Sequence, residues 1–171
     1  MKKAFCFLIL IFTGLIALQS QTFNQWVNDT VKDQKVLLGY GSRAGLEKSD
    51  FKAYFSEEYQ NYQPDEDVCS YLGRHIDSLG ITIVLGTWCH DSQEQVPRFF
   101  KVLDHIDFNA ENLVMIGVDG NKQAGEVDIS GLKIELVPTF IFYKNDIELG
   151  RIIETPMTSL EEDMLLIIRN Q

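Results

Sequence analysis

The sequence predicts an α/β fold: a central mixed sheet flanked by helices, ordered βαβ and then ββα, behind an N-terminal helical extension. Two observations carry this. Residues 81–85 and 113–118 are short, continuous apolar runs rich in β-branched residues, as expected of strands buried on both faces, and they bracket a helical pattern. Strand, helix and strand at this spacing make a crossover unit with parallel strands. Residues 140–143 and 147–153 then read as a hairpin around Lys144-Asn145-Asp146, and a helix follows.

The chain begins with Lys2 and Lys3, an apolar run over residues 4–18, and then Gln19, Ser20 and Gln21. That is the layout of a secretory signal peptide, here assigned to residues 1–21. The run is short for a membrane-spanning helix, which needs about 20 residues. An uncleaved anchor is the alternative, and the expected membrane contact is through this segment alone. Cleavage is expected between Ala17 and Thr22, delivering the protein across the inner membrane to the periplasm. Cys6 lies inside the apolar run, too early for a lipoprotein attachment cysteine.

About 150 residues remain, enough for one domain with a proper core. A hydrophobic content of 45% argues for a folded globule. The 171-residue chain carries 15 basic and 25 acidic residues for a net charge of −10, and loss of Lys2 and Lys3 takes it to −12. Phosphate backbones and anionic lipid repel such a chain, so nucleic acid is not an expected partner.

Residues 22–79 are read as the N-terminal helical extension with the first helix of the fold, and residues 80–171 as the core. Residues 22–35 read as a weakly amphipathic helix with Phe23, Trp26, Val27 and Val31 on one side. Residues 36–40 are short and apolar. Phe51, Tyr54, Phe55, Tyr59 and Tyr62 recur at helical steps and read as buried packing. Asp67 is a candidate cap for a helix whose face holds Val68, Leu72, Ile76 and Leu79, with Gly80 ending it. After the first core strand, residues 92–106 read as a helix with Pro97 in its second turn. Gly150 in the second hairpin strand suggests a bulge. Thr158 and Ser159 are cap candidates for the last helix, with Glu161 and Glu162 three residues on.

The chemistry concentrates in Gly86-Thr87-Trp88-Cys89-His90-Asp91-Ser92, where a buried strand hands over to a helix. A cysteine there meets the unpaired N–H groups and positive end of the helix, which favour thiolate, the nucleophile of disulfide exchange. His90 as imidazolium favours the same form and the Asp91 carboxylate opposes it; Asp91 also reads as a helix cap. Adjacent residues rarely converge on one ion, and His75 and His105 show no ligand spacing, so no metal is expected. Cys69 borders an apolar helix face and is either a buried, inert thiol or a second redox thiol.

Trp88-Cys89, Pro97 in the following helix, and Val137-Pro138-Thr139 ahead of a hairpin and helix together resemble the thioredoxin superfamily, over about residues 81–171. In its overall run the stretch is most similar to exported thioredoxin-like proteins of Bacteroidetes-type bacteria. The resemblance implies a thioredoxin fold, with Cys89 as nucleophile, Trp88 and His90 beside the substrate, and a cis-proline loop in which the Val137 backbone and Pro138 dock an extended segment by β-augmentation. Two departures stand out. The family's C-x-x-C is Cys89-His90-Asp91-Ser92 here, so Ser92 holds the resolving position and, unlike a thiol, cannot attack a mixed disulfide. The family's buried acid, six residues before the nucleophile, is Ile83.

These readings lead to an exported monothiol exchange protein. Cys89 attacks protein or low-molecular-weight disulfides, Ser92 holds the thiolate, an external thiol completes the cycle, and no cofactor is involved. The alternatives are a non-redox peptide-binding module on the same fold and a dithiol reductase in which Cys69 supplies the resolving thiol.

Overall fold

The computed structural model describes residues 23–76 and 79–169. The signal segment assigned to residues 1–21 lies outside the described residues, and among the described residues no helix is long and apolar enough to cross a membrane.

The described residues open with a hairpin, β1 (Gln25–Asp29) and β2 (Gln34–Gly41), in antiparallel register with Asp29 opposite Gln34. This corrects the helix expected over residues 22–35. The spacing of Trp26, Val27 and Val31 suits a helix, but Asp29 makes a turn instead. Its carboxylate accepts hydrogen bonds from Val31 N–H (2.6 Å) and Lys32 N–H (3.3 Å), and Asp33 adopts a left-handed φ of 51°. Aspartate bonding to its own downstream backbone is a turn-forming device.

Three helices follow: α1 (Arg43–Glu47), α2 (Lys52–Asn61) and α3 (Glu66–Gly73). Of the aromatic stripe, Phe51 and Phe55 are buried, with Phe55 against Phe100 at 5.6 Å, and Tyr59 and Tyr62 are half-buried, but Tyr54 is exposed, a correction to the expected packing. Asp65, rather than Asp67, caps α3, its side chain accepting Val68 N–H at 2.9 Å. α3 also ends earlier than Gly80, at Gly73 with Arg74 as cap residue. Gly80 and Leu79 belong to the next strand.

That strand, β3 (Leu79–Leu85), leads into α4 (His90–His105) and then β4 (Leu113–Gly117), parallel to β3. β5 (Thr139–Lys144) and β6 (Ile147–Ile153) form the second hairpin, whose turn residues Asn145 and Asp146 are both left-handed, and α5 (Leu160–Arg169) follows. Two left-handed residues are what a tight hairpin turn matching strand twist requires. Phe142 pairs with Gly150 but Tyr143 with Glu148, so Leu149 is the extra residue of a bulge. Ser159 caps α5 by accepting Glu162 N–H at 3.2 Å.

The six strands lie in the order β1-β2-β4-β3-β5-β6. Alternation of side chains then creates two apolar clusters. On one face, Ile81, Ile83 and Leu85 of β3 and Phe140 and Phe142 of β5 pack beneath residues from all five helices, with Phe99 stacked on Phe140 at 4.3 Å. On the other, Val84, Ile116, Val118 and Val137 pack under Ala124, Val127, Ile129, Leu132 and Ile134 from the β4–β5 connection. Trp88 and Cys89 join this second, smaller cluster.

Candidate functional site around Cys89

β3 delivers the chain to Gly86, where a side chain would collide with the Trp88 ring at 2.6 Å. The missing Cβ lets the chain turn with Cys89 N–H donating to Gly86 C=O at 2.8 Å. Cys89 is then the cap residue of α4 and is partly exposed, while Gln93 N–H closes the first turn on its carbonyl at 3.0 Å. Asp91 is therefore not the cap. It sits in the first turn, where a carboxylate complements the helix's positive end.

The Cys89 side chain does not cap the helix backbone. Its Sγ lies 3.1 Å from Val137 C=O, across from the loop that leads into β5. The Val137–Pro138 peptide bond is cis, both residues are buried, and the loop is pinned by Thr139 Oγ1 donating to Leu136 C=O (2.7 Å) and by Glu154 N–H donating to Pro138 C=O (2.7 Å). Cys89 and the Val137–Pro138 loop thus meet, although they are 48 residues apart.

Ser92 is fully buried, and its hydroxyl accepts Gly86 N–H at 3.3 Å. It faces the turn that presents Cys89. Trp88 is half-buried and donates from Nε1 to Val118 C=O at 3.0 Å, which fixes the indole at the end of β4. His90 is exposed at the first residue of α4. Ile83, where the resemblance expects an acid, is fully buried in the helix-covered cluster.

Cys69 is placed differently. It is buried in α3, within the helix-covered cluster, whereas Cys89 packs on the opposite face of the sheet. Both thiols are free. Burial pushes the Cys69 thiol up to about 11, with the Glu161, Asp65 and Glu66 carboxylates adding to the effect. The structure therefore assembles Trp88, Cys89, Ser92, Val137 and Pro138 and leaves Cys69 out. Among the described residues, no group of three or more His, Cys, Asp or Glu side chains is arranged to hold a metal ion.

Two residues of the site are absent from the sequence reading. Lys32, in the β1–β2 turn, places its Nζ 3.9 Å from the centre of the Trp88 ring. Asp29 ties the same turn to the loop beyond β4, accepting Gly120 N–H across 91 residues. The local signal was Asn28-Asp29-Thr30 followed by Asp33, a run of turn formers inside an apolar periodicity. A cavity of about 290 Å³ lined by Lys122, Ile129, Ser130, Lys133, Ile134 and Glu135 borders the same apolar cluster.

The strand order and directions from β3 onward, with α4 between the parallel strands β3 and β4 and α5 after the β5–β6 hairpin, define a thioredoxin fold. The sequence matches no protein-family profile and no curated protein. Among solved structures, the chain is similar to a protein of unknown function from Pseudomonas aeruginosa (14% identity, TM-score 0.47, covering 70% of this chain and 80% of that one). It is also similar to Chlamydomonas reinhardtii thioredoxin f2 (22% identity, TM-score 0.39, covering 64% and 95%). Spinach chloroplast thioredoxin f matches at 14% identity and TM-score 0.37, covering 69% and 91%.

Proposed function

We propose that this is an exported thiol–disulfide exchange protein acting as a monothiol through Cys89. The observation that carries the reading is the contact of Cys89 Sγ with Val137 C=O at 3.1 Å, which sets a partly exposed thiol against the one loop suited to hold an extended substrate. In the first step the Cys89 thiolate attacks one sulfur of a substrate disulfide. The substrate S–S bond breaks, a mixed disulfide with Cys89 forms, and the released thiolate takes a proton from water. Ser92 offers no second thiol, so an external low-molecular-weight or protein thiol attacks the mixed disulfide and regenerates Cys89. The exported location is proposed to be the periplasm, on the strength of the apolar segment after Lys2 and Lys3.

A second reading keeps the groove without turnover, as a peptide-binding module. It is favoured by Ser92 and Ile83, a hydroxyl and a hydrocarbon where dithiol chemistry needs a thiol and an acid. Trapping separates the two. Mature protein is incubated with periplasmic extract, thiols are quenched, and wild type, Cys89→Ala and Cys69→Ala are run on non-reducing gels. Adducts that depend on Cys89 and survive in Cys69→Ala are expected. No adducts, with Cys89 alkylated no faster than a free cysteine, sinks the exchange reading in favour of the binding module.

A further inference from the structure

The β1–β2 turn brings a cation to the mouth of the site. Lys32 is exposed, and its Nζ lies over the Trp88 ring, one residue from the nucleophile, in the geometry of a cation–π contact. Its placement is not incidental to a loose turn. Asp29 anchors the turn at three backbone donors, Val31, Lys32 and Gly120 N–H, the last from the loop beyond β4. Val31 packs against Gly120 closely enough that a Cβ there would meet its side chain at 2.9 Å. The Asp29 carboxylate accepts these N–H groups and still attracts the Lys32 ammonium, but among the described residues no carboxylate forms an ion pair with Lys32. The exposed ammonium thus rests on the Trp88 ring.

We infer that Lys32 is a specificity-determining residue that selects disulfides bearing a carboxylate close to the sulfur. The inference rests on the exchange reading of Cys89. A chain with a net charge of −10 repels anionic molecules at long range, so accepting one needs a local positive charge where the disulfide meets the nucleophile. Lys32 supplies that charge over the Trp88 ring, one residue before Cys89 in the chain. The step itself is unchanged: the substrate S–S bond is exchanged for a mixed disulfide with Cys89, and the carboxylate is bound, not consumed.

The test compares wild type with Lys32→Gln, Lys32→Glu and Lys32→Arg, all at an exposed position. Single-turnover adduct formation at Cys89 is followed by mass with 3,3′-dithiodipropionate (dianion), bis(2-hydroxyethyl) disulfide (neutral) and cystamine (dication). A disulfide-linked dimer of a capped Cys-Glu peptide, against its Cys-Gln counterpart, distinguishes a peptide source of the carboxylate from a small molecule. The readout is the ratio of dianion to neutral rate constants. It falls about two- to fivefold in Lys32→Gln, as expected for one exposed charge pair, falls further in Lys32→Glu, and is restored in Lys32→Arg. Salt at about 1 M narrows the differences. Wild type reacting with a ratio that none of the substitutions alters, or preferring cystamine irrespective of residue 32, overturns the inference and leaves the exchange reading standing. Wild-type Cys89 inert toward every probe overturns the exchange reading, and the inference with it.

Discussion

Cys89 Sγ and the carbonyl oxygen of Val137 are 3.1 Å apart, and this contact joins the two segments that define the site. Cys89 is placed by the end of β3 and the start of α4; Val137 is placed by the entry into β5, which pairs antiparallel with β3. A carbonyl in this position is the natural acceptor for the backbone N–H of an extended substrate. Under the proposed exchange reading, an extended substrate that bonds to Val137 displaces the Cys89 thiol from its resting partner.

Ser92 faces the turn that presents Cys89, buried and bonded to Gly86 N–H. Ser92→Cys is expected to place a second thiol within reach of Cys89. After mild oxidation the variant shows by mass an intramolecular disulfide between Cys89 and the introduced thiol, and it loses two free thiols. It also reduces insulin disulfides with a dithiol reductant where wild type does not. The lost hydroxyl bond costs about 1 kcal/mol, measured by denaturant unfolding. If the two thiols of a folded Ser92→Cys protein stay free under oxidation, residue 92 does not face the nucleophile.

Cys69 provides a pH signature. Burial raises its folded-state value to about 11, from an ordinary value near 9. Between these limits the folded protein keeps the proton and the unfolded chain releases it. This contribution to stability is complete below about pH 9 and lost as pH rises toward about 11, a change on the order of 2 kcal/mol. Wild type and Cys69→Val unfolding curves are expected to diverge across that window, wild type losing more. Iodoacetamide at neutral pH modifies Cys89 in the folded protein and Cys69 only after denaturation. Equal labelling of both thiols in the native protein contradicts this.

Asp29 gives the opposite sign. Burial opposes its charge, but the N–H groups of Gly120, Val31 and Lys32 outweigh burial and hold the carboxyl below its ordinary value, with the Lys32 ammonium helping. The stabilisation is present above the unfolded value near about 4 and is lost as pH falls through the lower folded value. Asp29→Asn is expected to be less stable than wild type at pH 7 and to lose less on acidification. Its Gly120 amide exchanges hydrogen faster, since the acceptor has lost its charge. Parallel acid-unfolding curves for the two proteins rule out a charged anchor.

The part of the fold legible in the sequence is the part written in local signals. The runs that became β3 and β4, the helical face of α4 and the Ser159 cap each need only neighbouring residues, and they fall where expected. The first hairpin was not legible because Trp26, Val27 and Val31 satisfy a helical spacing as well as a strand one. The turn that decides between them is stabilised by Asp29 reaching Gly120, 91 residues away. The cap of α3 went to Asp65 over Asp67 on a choice of two residues, within the spread of any helix start. At the site, the residues adjacent in sequence to Cys89, and the Val137–Pro138 pair, were found by motif. Lys32 belongs to no motif and reaches Trp88 only because the hairpin folds over it.

All five helices pack on one face of the sheet, while the face holding Trp88 and Cys89 is covered by Ala124, Val127, Ile129, Leu132 and Ile134 from the connection between β4 and β5. The two sides therefore answer to different constraints. The helical side is bound by close packing, where one methylene is felt. The connection side is packed at its base by Val84, Val118, Ala124 and Val137, but its outer residues, Asn121, Gln123 and Glu126 among them, are exposed. Substitution of those outer residues changes the surroundings of Cys89 while leaving the helix-covered core, on the opposite face of the sheet, untouched.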